Sequence, residues 1–296
     1  ADLIAAETNQ QKKLALNQMS GNLKEKYESW KKILSECLAY MEAIIDFGDD
    51  DDAVDENAQN IVRKKVQLLT KEMKSHLSDN RRGEIIRNGL KITIAGPPNA
   101  GKSSILNVLA KKPAAIVSPI AGTTRDVIQV NMDFGGYPVV ISDTAGLRES
   151  EAVLDEIERE GILRAKEEID DSKITLFVLD GSDRSEGEEL FERMFGLGKA
   201  NGRVVLVCNK SDLFDETSQG EIKKRFERQV LFVSCKTGAG IKSLLEEIEA
   251  EVGQLFEGEN MEDSALITRE RHRNHVQNCL GLLEKSLQPK ISIDLS

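Results

Sequence analysis

One short segment of the sequence constrains the fold more than any other. Residues 96–103 are Gly-Pro-Pro-Asn-Ala-Gly-Lys-Ser and fit the pattern G-x-x-x-x-G-K-[ST]. A β-rich run precedes the segment and a helical pattern follows it, which is the context in which this pattern forms a phosphate-binding loop. Its glycines let backbone N–H groups surround phosphates, and the helix N-terminus adds partial positive charge. The segment therefore predicts a nucleotide-binding α/β domain.

From Leu90 onward, short β-rich runs alternate with helical patterns. Strands are predicted at Lys91–Ala95, Val127–Asp133, Tyr137–Ser142, Ile174–Leu179, Arg203–Cys208 and Gln229–Val233, and helices at residues 102–111, 153–169, 186–195, 219–227 and 241–256. This alternation predicts a doubly wound, mostly parallel sheet. Gly135-Gly136 predicts a hairpin, so one strand pair is expected to be antiparallel.

Helical patterns flank this α/β part. Apolar residues spaced by three and four from Leu16 to Ile45 predict one amphipathic helix, and a second pattern runs from Ile61 to Leu77. Residues 264–296 return to a helical pattern that Pro289 interrupts. We therefore expect an α/β domain at residues 90–253, inserted into an all-α helical domain formed by residues 1–89 and 254–296, whose last part is expected to be incomplete.

Composition excludes several classes of protein. Hydrophobic residues make up 40% of the chain and the net charge is −11, which excludes a disordered tail and a uniformly basic nucleic-acid surface. No apolar run approaches the ~20 residues that span a bilayer, so no membrane span is expected. The four cysteines lie far apart in the sequence (Cys37, Cys208, Cys235, Cys279), and we expect neither a zinc site nor a disulfide framework.

The phosphate-binding loop assigns roles to its own residues. Lys102 is expected to reach the β- and γ-phosphates, and the Ser103 hydroxyl to ligate Mg²⁺. Asp143-Thr144-Ala145-Gly146 follows the third strand, where Asp143 can hold Mg²⁺ through water and the Gly146 amide can sense a γ-phosphate. The predicted nucleotide-binding segment also includes Asn99, Ala100, Gly101 and Ser104.

Two further motifs indicate that the base is guanine. Asn209-Lys210-Ser211-Asp212 follows the fifth strand. Asp212 can accept hydrogen bonds from guanine N1–H and the exocyclic amine, a donor pair that adenine lacks. Asn209 can bond the ring edge and the loop, and Lys210 can lie over the base. Ser234-Cys235-Lys236 follows the sixth strand and can present a backbone N–H to guanine O6. The predicted domain is thus a Ras-like P-loop GTPase domain.

The segment Gly122–Asp126 lies where a first switch belongs, between the phosphate loop and Asp143. A threonine hydroxyl there can complete Mg²⁺ ligation, and we favour Thr124 over Thr123. Leu147 follows Gly146 at the place where Ras-like enzymes orient the attacking water with a glutamine. Because leucine cannot hydrogen-bond water, either another group positions the water or hydrolysis is negligible.

Three motifs together resemble the MnmE (TrmE) tRNA-modification GTPases. They are Gly96–Ser103 with Asn99 inside it, Ser118–Asp126, and Asp143–Glu149. The proline pair Pro97-Pro98 and Ser142 before Asp143 are more similar to the mitochondrial members than to the bacterial ones. The resemblance covers essentially the whole chain.

The resemblance implies a K⁺-dependent mechanism. It places a K⁺ site at Asn99, Ser118, Ile120 and Thr123, where the ion substitutes for an arginine finger when two G domains dimerise. It also assigns a water-positioning glutamate to Glu158. Together with Thr124 and Lys102, which the motifs assign, Glu158 makes up the predicted set of catalytic residues.

The resemblance further implies partners and a location. The family works with an FAD-dependent MnmG/GidA-type protein and modifies the wobble uridine of tRNA at C5. A folate cofactor belongs to an N-terminal domain that this sequence does not include, and that domain contributes to the homodimer of the full-length protein. The mitochondrion is the expected location, with the bacterial cytoplasm as the alternative.

Two other functions remain open at this point. One is a ribosome-assembly or other translation-associated GTPase, which the absence of an RNA-binding appendage disfavours. The other is a nucleotide-switched helical scaffold, which Asn99 and Glu158 disfavour because they suggest retained hydrolysis. A basic cluster at residues 269–275 could touch tRNA phosphates, although a solvated helix face is the favoured interpretation.

Overall fold

The computed structural model describes residues 2–47, 52–116, 129–143, 166–183, 185–195, 202–226, 228–257 and 265–288. The chain divides into two compact units. One comprises Ala1–Ala6, Gln11–Arg87 and Asn260–Ser296, and the other comprises Glu7–Gln10 and Asn88–Glu259. An α/β unit therefore lies between two helical stretches of sequence. The domain limits at 89/90 and 253/254 stay predictions.

The described part of the helical unit contains five helices. They are α1 (Asn9–Met19, which begins in the other unit), α2 (Asn22–Phe47), α3 (Asp52–Leu77), α4 (Arg82–Asn88) and α10 (Glu270–Leu287). The prediction of a single amphipathic helix from Leu16 to Ile45 is wrong, because α1 ends at Met19 and α2 begins at Asn22. Gly21 separates α1 from α2 with φ +91°, a conformation that glycine adopts without steric cost and that ends a helix.

The core of the helical unit joins α2, α3 and α10. Trp30, Leu69, Met73 and Val276 are all at most 7% exposed and pack together. The predicted apolar stripe of α2 is only partly buried, because Leu38 and Ile45 are 60% and 78% exposed. Spacing alone thus identifies the helix but not how far along it the partners extend.

Arg273 of α10 is 2% exposed, which contradicts the interpretation of residues 269–275 as a solvated face at this position. Its Nε donates to Glu84 Oε1 at 2.5 Å, one terminal nitrogen donates to Asp79 Oδ1 at 2.7 Å, and the other donates to the Leu77 carbonyl at 3.1 Å. A buried guanidinium requires such a full set of acceptors. Arg273 therefore ties α10 to the ends of α3 and α4.

The α/β unit alternates strands and helices. Its elements are β1 (Leu90–Ala95), α5 (Lys102–Ala110), β2 (Gln129–Phe134), β3 (Tyr137–Asp143), α6 (of which residues 166–171 are described), β4 (Ile174–Asp180), α7 (Ser185–Phe195), β5 (Arg203–Asn209), a 3₁₀ turn (Ser211–Leu213), α8 (Glu216–Phe226), β6 (Val230–Phe232) and α9 (Ile241–Phe256). Most of the helix predicted at 153–169 and the first two residues of the strand predicted at Val127–Asp133 lie outside the described residues.

The six strands form one sheet in the order β2-β3-β1-β4-β5-β6. Only β2 runs antiparallel to its neighbour, β3, and the other pairs are parallel. The predicted doubly wound sheet with a Gly135-Gly136 hairpin is thereby confirmed. Every residue of β4 is buried, as expected for a central strand with helices on both faces. The carboxyl ends of β1, β3, β4 and β5 lie on one edge, which is where such sheets bind ligands.

No helix among the described residues is long and apolar enough to cross a membrane.

Candidate functional site

The phosphate-binding loop connects the end of β1 to the start of α5. Gly96 has φ +142° and Gly101 has φ +90°. A Cβ on Gly96 would lie 2.2 Å from the Val178 carbonyl oxygen, and a Cβ on Gly101 would lie 2.2 Å from Asn209 Nδ2. Both glycines of the sequence pattern are therefore required by backbone conformation and by close contacts with β4 and β5.

Lys102 begins α5 and is 7% exposed. Its Nζ donates to the carbonyl oxygens of Gly96 at 2.9 Å and Pro97 at 2.6 Å, so the ammonium lies inside the curve of the loop. Burial lowers the pKa of Lys102, and the negative charges of Asp143 and Glu186 oppose that shift. The ammonium is a cation held within reach of any anion that the loop binds.

Ser103 and Asp143 bring two oxygen ligands together. The Ser103 hydroxyl donates to Asp143 Oδ2 at 2.5 Å, and Asp143 ends β3 with 0% exposure. A hydroxyl and a buried carboxylate are hard oxygen donors of the kind that Mg²⁺ prefers, with water and phosphate oxygens completing its coordination. These residues fit the predicted Mg²⁺ site. The described residues hold no cluster of three or more His, Cys, Asp or Glu side chains that would bind a metal by itself.

The loop after β5 places the guanine-reading residues. Asn209 is 3% exposed, Lys210 adopts φ +60°, and the 3₁₀ turn follows at once. Asp212 Oδ1 accepts the Ser234 hydroxyl at 2.6 Å, and this bond lowers the pKa of Asp212. Ser234 is fully buried and its hydroxyl oxygen also accepts the Thr237 N–H at 3.2 Å. The carboxylate is therefore ionised and oriented at neutral pH.

Asn209 links the loops at the two ends of the site. Its Nδ2 donates to the Ala100 carbonyl at 2.9 Å, and its Oδ1 accepts the Cys235 N–H at 3.4 Å. The phosphate loop, the loop after β5 and the loop after β6 thus meet at one side chain. The structure brings together the predicted residues of all three motifs.

The remaining predicted residues fall into two groups. Asn99, with φ +59°, and Ser104 and Lys236 are exposed, and Cys235 is partly buried. Burial raises the pKa of the Cys235 thiol. The second group lies outside the described residues and comprises Ser118, Ile120, Thr123, Thr124, Gly146 and Glu158. Their predicted roles stay predictions.

One residue of this edge was missed in the sequence. Asp180 ends β4 beside Asn209 in the strand register, and its Oδ2 accepts Lys210 Nζ at 2.5 Å. The sequence carries a signal for it, because Asp180 is the only acidic residue of a strand that is apolar apart from Thr175. The topology places this strand between β1, which precedes the phosphate loop, and β5.

Part of the chain is similar to solved structures. The structure of Era in complex with MgGDPNP and nucleotides of 16S ribosomal RNA is 26% identical in sequence. The match covers 58% of this chain and 58% of that chain, with a TM-score of 0.44. The G domain of the T. maritima FeoB iron transporter is 24% identical, with 55% of this chain and 98% of that chain covered and a TM-score of 0.39.

Sequence relatives match almost the whole chain. The Rattus norvegicus protein named 5-taurinomethyluridine-[tRNA] synthase subunit GTPB3, mitochondrial, is 39% identical over 96% of this chain and 58% of its own length. The Homo sapiens protein of the same name is 39% identical over 98% of this chain and 59% of its own length. The tRNA modification GTPase MnmE of Rhodospirillum rubrum is 37% identical over 99% of this chain and 61% of its own length. The chain therefore spans about three fifths of these relatives.

The family model of the MnmE helical domain matches residues 1–295. The match includes both the helical unit and the α/β unit with its phosphate loop. The resemblance noted in the sequence is confirmed, and the chain belongs to the MnmE family.

Proposed function

We propose that this chain binds and hydrolyses GTP as part of a GTPase that modifies tRNA at C5 of the wobble uridine. The observation that carries the proposal is the linkage of a phosphate loop to a guanine-reading loop through Asn209, whose Nδ2 donates to the Ala100 carbonyl at 2.9 Å. The spacing between the two loops is thereby defined before a nucleotide binds.

Each end of the nucleotide has a matching group. The Lys102 ammonium exchanges its bonds to two loop carbonyls for bonds to the β- and γ-phosphates, and the N-terminus of α5 adds its N–H groups. Asp212, held by Ser234, accepts from guanine N1–H and the exocyclic amine. Adenine would present no donor to that carboxylate, and the site would therefore discriminate against ATP.

Ser103 and Asp143 would hold Mg²⁺, and Thr124 would join them in the triphosphate state. When bound, the ion would supply positive charge to the phosphates. Ser103 supplies a neutral oxygen from the first turn of α5, and Asp143 supplies a buried negative charge from β3.

The step that Ras-like enzymes assign to a glutamine needs other groups here, because Leu147 follows Gly146. We assign the orientation of water to Glu158, and the positive charge to K⁺ held by Asn99 with Ser118, Ile120 and Thr123. Family membership supports this assignment. The K⁺ site would be complete only when two G domains dimerise. The hydrolysis rate per molecule should therefore rise with protein concentration.

The wider reaction follows from the relatives. The rat protein is named as a mitochondrial subunit of a 5-taurinomethyluridine-[tRNA] synthase, and the bacterial one as a tRNA modification GTPase. We therefore propose tRNA and an FAD-dependent MnmG/GidA-type protein as partners, with a mitochondrial location. Folate would bind to a domain outside this sequence.

The test is nucleotide binding followed by hydrolysis. Calorimetric titration with GDP and ADP should show binding of GDP alone, and Lys102→Ala should abolish tight GTP binding while leaving the helical unit folded. Hydrolysis should be faster in K⁺ than in Na⁺, and Asn99→Ala should remove the difference. Equal affinity for ADP contradicts guanine recognition. GTP binding without hydrolysis in either cation would instead favour the nucleotide-switched scaffold.

A further inference from the structure

Asp180 is a buried carboxylate with both oxygens in use. The residue is 9% exposed. Its Oδ2 accepts Lys210 Nζ at 2.5 Å, and its Oδ1 accepts the Ser182 backbone N–H at 2.9 Å and the Ser182 hydroxyl at 2.5 Å. Three donors on two oxygens hold a carboxylate in one orientation. Asp180 is therefore a fixed point of negative charge beside the nucleotide site.

The loop that follows Asp180 is clamped to β5. The Gly181 N–H donates to the Asn209 carbonyl at 3.0 Å. A Cβ on Gly181 would lie 2.0 Å from the Phe214 ring and 2.7 Å from the Asn209 carbonyl oxygen. No larger residue fits there, so the backbone next to Asp180 has little freedom to move away from Lys210.

Lys210 is held at both ends. Its backbone has φ +60°, and its carbonyl accepts the Leu213 N–H at 2.9 Å. Its ammonium is bound to Asp180, and the two side chains are 34% and 12% exposed. The methylene stem between these two ends is consequently restricted to one region of the site.

We propose that Asp180 is a positioning residue for guanine nucleotides, which acts by holding Lys210 in the place where its stem covers the face of the base. The inference rests on the proposed function. A lysine side chain loses rotamer entropy when it is immobilised. Because Asp180 immobilises Lys210 when the protein folds, the nucleotide does not have to do so on binding, and its affinity is higher.

The charge of Asp180 suits this role. Burial raises the pKa of Asp180, but the bonds from Lys210 and Ser182 together outweigh burial, so the pKa lies below its ordinary value. The carboxylate is ionised at neutral pH and its bond to the ammonium is charge-assisted.

The role of Lys210 differs from that of Asp212. The lysine stem contacts a base face, which all purines share, whereas Asp212 contacts an edge that only some purines match. Loss of Asp180 should therefore weaken GDP, GTP and IDP by the same factor. Loss of Asp212 should instead change the preference among bases.

The experiment is a double-mutant cycle on the full chain, with calorimetric titration of GDP, GTP and IDP. Asp180→Asn should weaken all three nucleotides about tenfold, because the side-chain entropy of Lys210 would then be lost when the nucleotide binds. Lys210→Met keeps the stem without the ammonium, and adding Asp180→Asn to it should cause no further loss. The matched control is Asp183→Asn, whose exposed carboxylate accepts a local bond from Ser185, and it should bind like the wild type.

A merely structural role predicts a different result, namely the same loss in the Lys210→Met background. The inference would be overturned by that equal loss in the Lys210→Met background. It would also be overturned if Asp180→Asn left nucleotide binding unchanged, or if it weakened GTP alone. If Asp180→Asn does not fold, Ser182→Ala loosens the carboxylate without removing its charge. It should give a smaller loss that is again equal for the three nucleotides, and wild-type affinity in this variant would overturn the inference. Failure of the wild type to bind GDP contradicts the proposed function itself, whereas GDP binding by the wild type leaves only this inference at stake.

Discussion

Acidification should destabilise the helical unit through His76. This residue of α3 lies edge-on to Trp30, with ring centroids 5.3 Å apart, and to Tyr27, with centroids 6.0 Å apart. Its Nε2 has no hydrogen-bond partner within the described structure. Burial lowers the pKa of His76 to about 4. The folded protein therefore keeps this imidazole neutral at a pH where an unfolded chain protonates it.

The charges around the ring act in both directions. Lys26 and Arg273 lower the pKa of His76 further, while Asp79 and Glu72 raise it. The cationic groups and burial prevail. A proton on His76 would be placed beside an aromatic cluster and close to a buried guanidinium, and none of the described residues bonds to Nε2.

The magnitude follows from the two pKa values. Above pH 6.5, where the unfolded histidine is also neutral, the contribution to stability is complete. Between pH 6.5 and about 4 the unfolded state binds one more proton than the folded state, so the unfolding free energy falls by up to ~1.4 kcal/mol for each pH unit. The total loss attributable to His76 is about 3 kcal/mol, and it ends below about pH 4, where both states are protonated.

The assay uses a single fluorophore. The chain has one tryptophan, and Trp30 is buried in the core of the helical unit, so its fluorescence during urea titration reports the unfolding of that unit. Titrations at pH 7, 6, 5 and 4.5 should show a falling midpoint for the wild type. His76→Phe keeps an aromatic ring against Trp30 and should show a smaller fall.

Other groups also titrate in acid. Asp2 and Glu36 have lowered pKa values because of their bonds to Arg87 and Lys65. Their contribution to the unfolding free energy is lost in acid, and equally so in the wild type and in His76→Phe. The difference between the wild-type and His76→Phe curves therefore isolates the histidine. If the two curves fall in parallel between pH 6.5 and 4, the reasoning from burial is refuted.

Three further substitutions test other contacts. Asp212→Asn should weaken GDP binding and favour xanthine nucleotides, because an amide presents a donor where the carboxylate presents an acceptor; competition between GDP and XDP measures this, and an unchanged preference would show that Asp212 does not read the base. Gly101→Ala should abolish GDP binding, because the new Cβ would lie 2.2 Å from Asn209 Nδ2 and the residue would keep φ +90°. Calorimetric titration measures the affinity, and normal affinity would show that the site tolerates a side chain at this position. Glu168→Gln should raise the unfolding free energy of the α/β unit by ~1 kcal/mol at pH 7, because burial raises the pKa of Glu168 and its Oε2 has no hydrogen-bond partner among the described residues. Denaturation followed by circular dichroism checks the sign, and a loss of stability would contradict it.

The sheet could be predicted because its signals are local. Alternation of β-rich runs and helical patterns places β1, β3, β4 and β5 within one residue of their observed limits. The phosphate loop is equally local, since Gly96 and Gly101 are needed for backbone conformations that few other residues adopt. The hairpin at Gly135-Gly136 has the same origin, because both residues have positive φ.

The errors concern features that depend on distant partners. The exposed side chains of Leu38 and Ile45 have the same spacing as buried ones, and spacing carries no information on where α2 loses its neighbours. The sequence places Arg273 in a run of basic residues, yet its acceptors Glu84 and Asp79 lie almost two hundred positions earlier in the sequence. Burial of a charge is decided by such remote acceptors, and charge runs alone do not predict it.

The motifs of the nucleotide site are less independent than their separation in the sequence suggests. Asn209 occupies the space that a side chain at Gly101 would need, and it donates to the carbonyl of the preceding residue, Ala100. A change at position 101 therefore displaces Asn209, and displacement of Asn209 releases the Cys235 N–H at the other end of the site. The glycine of one motif and the asparagine of another thus act as a single structural element. For this reason a substitution in the phosphate loop should alter base recognition as well as phosphate binding, since both ends of the site share the same support.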